Sequence, residues 1–238
     1  MDSHVTPDIE KVYEQLLWIM RRRFRVVESV KAHFGRGAVD RVLEPLPAPP
    51  LPLDRDADFR DLLDEREPVY FLEKLAFDVE RYEAETVTRL RAHVSVYRDH
   101  VDEQILFGAR TAGQEAGRAF LEAQAPAGGP RLETLSVPEA VQAVFDLGFT
   151  GLPGERSHFL VLRAHGGSSA HFARSPHLAA WNAAGADARF LYGTHCEWVR
   201  GVLDILSPRV DFHSARSIEV GEDFGLEHFY LRDTHAGP

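Results

Sequence analysis

The sequence predicts an α+β fold: N-terminal helices including a long helix, packed on a C-terminal, mainly antiparallel sheet with one crossing helix. Two observations predict it. Apolar residues recur at steps of three and four through the first half of the chain, and from Phe159 onward short apolar runs, alternation and turn residues replace that period. The expected organisation is an N-terminal helical extension over 1–44, a proline-rich linker over 45–54 and an α+β domain over 55–238.

Taken in order, Val12, Leu16, Met20, Val27, Val30 and Phe34 mark an amphipathic helix from Ile9 to Phe34, ended by Gly35 and Gly37. Its basic run, Arg21, Arg22, Arg23 and Arg25, reads as a solvated face. The stretch Pro45-Leu46-Pro47-Ala48-Pro49-Pro50-Leu51-Pro52 lacks backbone donors at its prolines and favours extended polyproline II, although its leucines could also lie across the main domain. One long stripe then runs from Phe71 through Leu75, Val79, Tyr82, Thr86, Leu90, Val94, Tyr97 and Val101 to Ile105, with an interruption near Asp99 and His100. The glycines of its continuation, Gly108, Gly113 and Gly117, each cost about 1 kcal/mol relative to alanine in a helix, so they imply close backbone approach. Ser136-Val137-Pro138-Glu139 has capping-box spacing, with Val141, Val144 and Phe145 as a buried face and Gly148 as the stop.

In the second half Phe159-Leu160-Val161-Leu162 reads as a buried strand, and Gly166-Gly167-Ser168-Ser169 as a turn into the next. Thr194-His195-Cys196-Glu197 again has capping-box spacing, which puts Cys196 in the first turn of a helix stopped by Ser207-Pro208. Val210 and Phe212, then Phe229 and Leu231, alternate with polar residues across a turn at Gly221-Glu222-Asp223, giving two final strands.

Composition limits the function. Asp and Glu number 37 against 27 Lys and Arg, a formal charge of -10, which argues against nucleic acid as a partner. A single cysteine permits neither an internal disulfide nor a cysteine-rich zinc site. The polar start has no apolar signal region and no stretch approaches the roughly 20 apolar residues of a membrane span, so the expectation is a cytoplasmic protein with no membrane partner.

The helix carrying Cys196-Glu197-Trp198-Val199-Arg200-Gly201-Val202-Leu203, the preceding small-residue helix Phe107 to Arg118 and the later Ser217-Ile218-Glu219-Val220-Gly221-Glu222-Asp223 resemble the 4-vinyl reductase type of small-molecule-binding domain. The same outline is similar to the L-2-amino-thiazoline-4-carboxylic acid hydrolase family. The resemblance spans roughly Phe71 to Arg232 and implies hydrolysis or cyclisation of an amino-acid-derived compound, in specialised metabolite biosynthesis, by a domain that pairs as a homodimer or with a related subunit. The cysteines that hold zinc in some such domains are replaced by Ser214, Ser217 and Gly225 or Leu226, and a cysteine-containing stretch of the hydrolases by Ala170-His171-Phe172-Ala173. Of the family residues only Cys196 carries over, and neither a metal nor a cofactor is expected.

The chemistry-bearing candidates gather around that helix. Cys196 is a nucleophile if a helix N-terminus and the neighbouring His195 and His213 favour its thiolate, and a core residue otherwise; Glu197 opposes the thiolate and could move protons itself. Arg216 and Arg200 could anchor an anionic substrate bidentately, Trp198 and Tyr192 could wall the pocket, and His171 is one of several histidines that could line it. The acidic residues Glu73, Glu80, Glu83, Glu85, Asp99 and Glu103 lack the Glu-x-x-His pairs of a di-iron bundle and read as a solvated face. The rival to an enzyme is a non-catalytic ligand-sensing or assembly subunit that associates through the Gly108–Gly117 helix.

Overall fold

A computed structural model describes residues 9–51, 68–124, 135–148, 152, 159–164, 167–172, 177–219 and 222–231. Helix α1 (Ile9–Phe34) follows the sequence period, but its buried set is wider than one stripe: Gln15, Leu17, Trp18 and Val26 join Val12, Leu16, Met20, Val27 and Val30. A helix buried over so much of its circumference is a core element. The segment expected as an extension thus supplies α1 to both hydrophobic clusters of the molecule. Gly35 ends it in the left-handed region, at φ 90, where its N–H reaches the Lys31 carbonyl at 2.9 Å. Gly37, expected to share that role, lies inside a second helix, α2 (Arg36–Leu43), which buries Val39.

The proline-rich stretch does not stand clear of the protein. Leu51 is fully buried beside Leu16, Leu72 and Val79, and Leu46 packs against the same cluster. Residues 52–54 of the expected linker lie outside the described residues.

The long stripe divides into α3 (Pro68–His93) and α4 (Arg98–Gln124), a few residues before the expected interruption. At the corner the Tyr97 N–H donates to Ser95 Oγ at 3.0 Å. Arg91 locks that corner: its fork donates to Asp102 at 2.7 and 2.9 Å, its third nitrogen to Asp187 at 3.0 Å, and its guanidinium lies 3.6 Å from the Phe190 ring centre. Burial works against the Arg91 charge, but the hydrogen bonds to Asp102 and Asp187 outweigh it and raise its pKa.

Helix α5 (Val137–Gly148) begins with the expected capping box, in which Glu139 accepts from the Ser136 N–H at 2.8 Å and from its hydroxyl at 2.6 Å. A short helix, α6 (Leu178–Ala183), precedes α7 (Ala188–Leu206), whose cap is Asp187 accepting from the Phe190 N–H at 3.2 Å. This corrects the expected start at Thr194. Thr194 is interior, and its hydroxyl donates to the Phe190 carbonyl one turn back, at 3.1 Å. Cys196 therefore sits in mid-helix, away from the donor groups and dipole end that were to favour its thiolate.

The small residues of α4 explain how α1, α4 and α7 fit together. A Cβ on Gly108 would come within 2.7 Å of the Val26 backbone in α1, and one on Gly113 would collide with the Trp198 carbonyl of α7. The glycine face expected to serve association is thus occupied inside the chain. Beside it Arg110 donates to Asp204 at 2.9 and 3.1 Å, hydrogen bonds that raise the Arg110 pKa.

Four strands, β1 (Phe159–Ala164), β2 (Gly167–Phe172), β3 (Val210–Glu219) and β4 (Glu222–Leu231), pair antiparallel in the order β1-β2-β4-β3. They do not make this an α+β protein, and that expectation is corrected: the fold is mostly helical. Among the described residues both hydrophobic clusters are built between helices, and only Val210 and Phe212, at the start of β3, enter from a strand. The wide burial of α1 and the glycine-mediated approach of α4 to α7 let these helices cover one another, which makes the described core mainly helix against helix.

Candidate functional site

Where α1, α3, α6 and α7 meet, charged and aromatic residues occupy the interior. Helix α3 contributes Glu80, Glu83 and Thr86, spaced three apart on one face; all three are buried, with Glu83 only 3% exposed. Charges rarely enter a core unless paired, and these are paired. From α1 the Arg22 fork meets the Glu83 carboxylate, Nε to Oε1 at 2.6 Å and Nη2 to Oε2 at 2.5 Å. Burial penalises the Arg22 charge, yet Glu83, by attraction and hydrogen bonding, and Glu80 beyond it raise the pKa above its ordinary value. Arg23 is different. Its Nε donates to Thr86 Oγ1 at 2.8 Å and its guanidinium lies over the Tyr82 ring, but burial prevails over attraction to Tyr82 and Glu83 and lowers its pKa.

Glu80 lies 2.7 Å from Nδ1 of His177, which immediately precedes α6, and both side chains are nearly inaccessible, 9% and 12% exposed. His177 stacks on Trp181 with ring centres 5.4 Å apart and lies 5.8 Å from His195 of α7. His195 in turn lies between Tyr192, at 6.2 Å, and Trp198, at 6.1 Å, and Arg22 approaches the Trp198 ring at 6.0 Å. The result is a continuous succession of rings and charges, Trp181, His177, His195, Trp198, Arg22 and Glu83, with Glu80 in contact with His177 and attracting the Arg22 charge from farther off. Trp198 Nε1 is buried with no hydrogen-bond partner among the described residues, a deficiency that costs about 1–3 kcal/mol in a dry interior.

A carboxylate hydrogen-bonded to one nitrogen of an imidazole fixes its orientation and supports a positive charge on it, which suits the imidazole to accept and return a proton. Among the described residues no group of three or more His, Cys, Asp or Glu side chains is arranged to hold a metal ion.

The candidates read from the sequence are distributed over several surroundings. His195, Tyr192 and Trp198 enter the centre, and Cys196 is buried beside them on α7. Glu197, two positions past His195 and so about 200° around the helix, faces away. It pairs with Arg200 at 2.6 Å and with Arg110 at 3.6 Å on the half-exposed side of the α4–α7 contact. Arg200, placed by the sequence as an anion anchor, is committed to Glu197 and lies 5.7 Å from the Phe212 ring centre. His213 is exposed on β3, where it pairs with His228. Arg216 pairs through its backbone with Gly225, and His171 with Leu160 and Leu226; their side chains fall outside the described residues.

Glu80, Glu83, Arg22 and Arg23, read from the sequence as solvated, are the principal omissions. Their signal lay in spacing. Glu83 and Thr86 share a helical face with Val79 and Leu90, and Arg22 stands one turn from both Trp18 and Val26, all of them buried. Comparison of the chain with protein-family models, with curated proteins and with solved structures gave no match.

Proposed function

We propose that the protein binds a small organic molecule, anionic and amino-acid-derived, and catalyses its hydrolysis or cyclisation by metal-independent acid–base chemistry at the Glu80–His177–His195 centre. The observation that carries this reading is the 2.7 Å contact between two nearly inaccessible groups, Glu80 and His177, with a second imidazole 5.8 Å away. In this scheme His177 exchanges the proton, Glu80 orients it, His195 is its relay or partner, and Cys196 with Tyr192 and Trp198 forms wall. The resemblance of the Cys196–Leu203 helix to the 4-vinyl reductase type and to L-2-amino-thiazoline-4-carboxylic acid hydrolases supports the substrate class. Among the described residues no helix is long and apolar enough to cross a membrane, in keeping with a cytoplasmic setting for such chemistry.

The test is turnover of small carboxylate-bearing cyclic amidines and thiazolines, followed by mass spectrometry, for wild type, His177→Gln and Glu80→Gln. The expected result is a loss of about 100-fold or more in His177→Gln with the fold retained by circular dichroism. Equal turnover in wild type and His177→Gln would overturn the assignment.

A second reading, an assembly or ligand-sensing subunit, is favoured by large apolar side chains that stand in solvent: Tyr97 is 69% and Phe107 64% exposed. Under that reading sedimentation gives a mass that rises with concentration and falls back in Tyr97→Ser/Phe107→Ser.

A further inference from the structure

A groove open to solvent, with about 400 Å³ of space, lies between α2 and the last turns of α3, lined by Ala38, Arg41, Val42, Arg89, His93 and Val94. It is wide enough to seat a small molecule against one wall while leaving the rest in solvent. Half of this lining is apolar and half is basic; no acidic residue contributes to it. In a chain of net charge -10 this is a local reversal of sign. The acid nearest in sequence to Arg41, Asp40, is drawn away to Lys31, 2.9 Å distant. Among the described residues neither Arg41 nor Arg89 makes an ion pair. Arg89 and His93 stand four apart on one face of α3, and Ala38, Arg41 and Val42 share one face of α2, so the two helices direct their donors to a common space. The Arg89 fork is partly positioned already, since Nη1 reaches the Val42 carbonyl at 3.4 Å, leaving its remaining donors for a ligand.

We propose that this cleft is a binding site for a small oxyanion, a carboxylate or phosphoryl group, carried on an apolar body. Arg41 and Arg89 bind the anionic head, His93 supplies a further donor, and Ala38, Val42 and Val94 receive the apolar part. The site stands apart from the Glu80–His177 centre, and its existence does not depend on the chemistry proposed there.

Calorimetric titration of the full chain with benzoate, phenyl phosphate and uncharged benzyl alcohol tests it. The expected result is saturable one-to-one binding of benzoate or phenyl phosphate, none of benzyl alcohol, and weakening by about tenfold in Arg41→Gln, a residue exposed enough to be replaced without harm to the fold. Tighter binding of benzoate identifies a carboxylate ligand, and tighter binding of phenyl phosphate a phosphoryl ligand. Absence of saturation by both anions at millimolar concentration, equal binding of benzyl alcohol, or unchanged affinity in Arg41→Gln would overturn the proposal.

Discussion

Gly113 and Gly201 hold α4 and α7 at backbone contact from opposite sides: a Cβ on Gly113 would strike the Trp198 carbonyl, and a Cβ on Gly201 would strike that of Arg110. Because the obstacles are main-chain atoms, no side-chain rotation can relieve them. Gly113→Ala and Gly201→Ala are each expected to destabilise the protein by about 3 kcal/mol, seen as a lower urea midpoint. Gly193→Ala is the control, since nothing lies within 4 Å of a Cβ there, and the helix should gain about 1 kcal/mol.

Removing one member of the Arg22–Glu83 pair leaves the other charge buried. Glu83→Leu and Arg22→Met are each expected to cost about 3–5 kcal/mol, whereas the apolar double replacement Arg22→Met/Glu83→Leu should recover much of the loss. Denaturant unfolding of all four proteins closes the cycle. Additive losses would show that the pair is not coupled.

Asp187 predicts a pH dependence. Burial opposes its charge, but the hydrogen bond from Arg91 and those from the Phe190 and Arg189 backbone prevail and hold the carboxyl below its ordinary value. A depressed carboxyl stabilises the fold above its unfolded pKa, about 3.9, and that contribution disappears as pH falls through the lower folded value. Asp187→Asn keeps a good cap for α7 but loses the pair with Arg91. Its melting temperature should lie below wild type at neutral pH and converge with it in acid.

Cys196 should resist iodoacetamide in the native protein and react only on unfolding, because it is 6% exposed and lies in mid-helix. Mass spectrometry of the single thiol reads this directly. Rapid native alkylation near neutral pH would restore the thiolate nucleophile.

The sequence period was sufficient for α1, whose bounds follow from its apolar spacing, and Ser136 with Glu139 marked the start of α5. The same Thr-x-x-Glu spacing misled at Thr194. A hydroxyl can bond back to the carbonyl four residues earlier as readily as cap a helix, and only the chain geometry distinguishes the two. Asp187, seven residues upstream, is the true cap. Arg22, Glu80 and Glu83 were missed for another reason: their spacing put them among apolar positions, but each is individually typical of a surface, and the sequence does not show which opposite charge a distant helix brings to it. Short apolar runs in the second half were given too much weight in the fold class because local alternation does not reveal which elements bury one another.

The contact between α4 and α7 also has a consequence for synthesis. Arg110 and Asp204 are separated by 94 residues, so the glycine groove of α4 leaves the ribosome well before the helix that fills it. For that interval its backbone is uncovered while α1 and α3 are already present, and closure of the bundle waits for the last quarter of the chain. Nascent chains arrested before α7 should therefore be far more sensitive to protease than the completed protein.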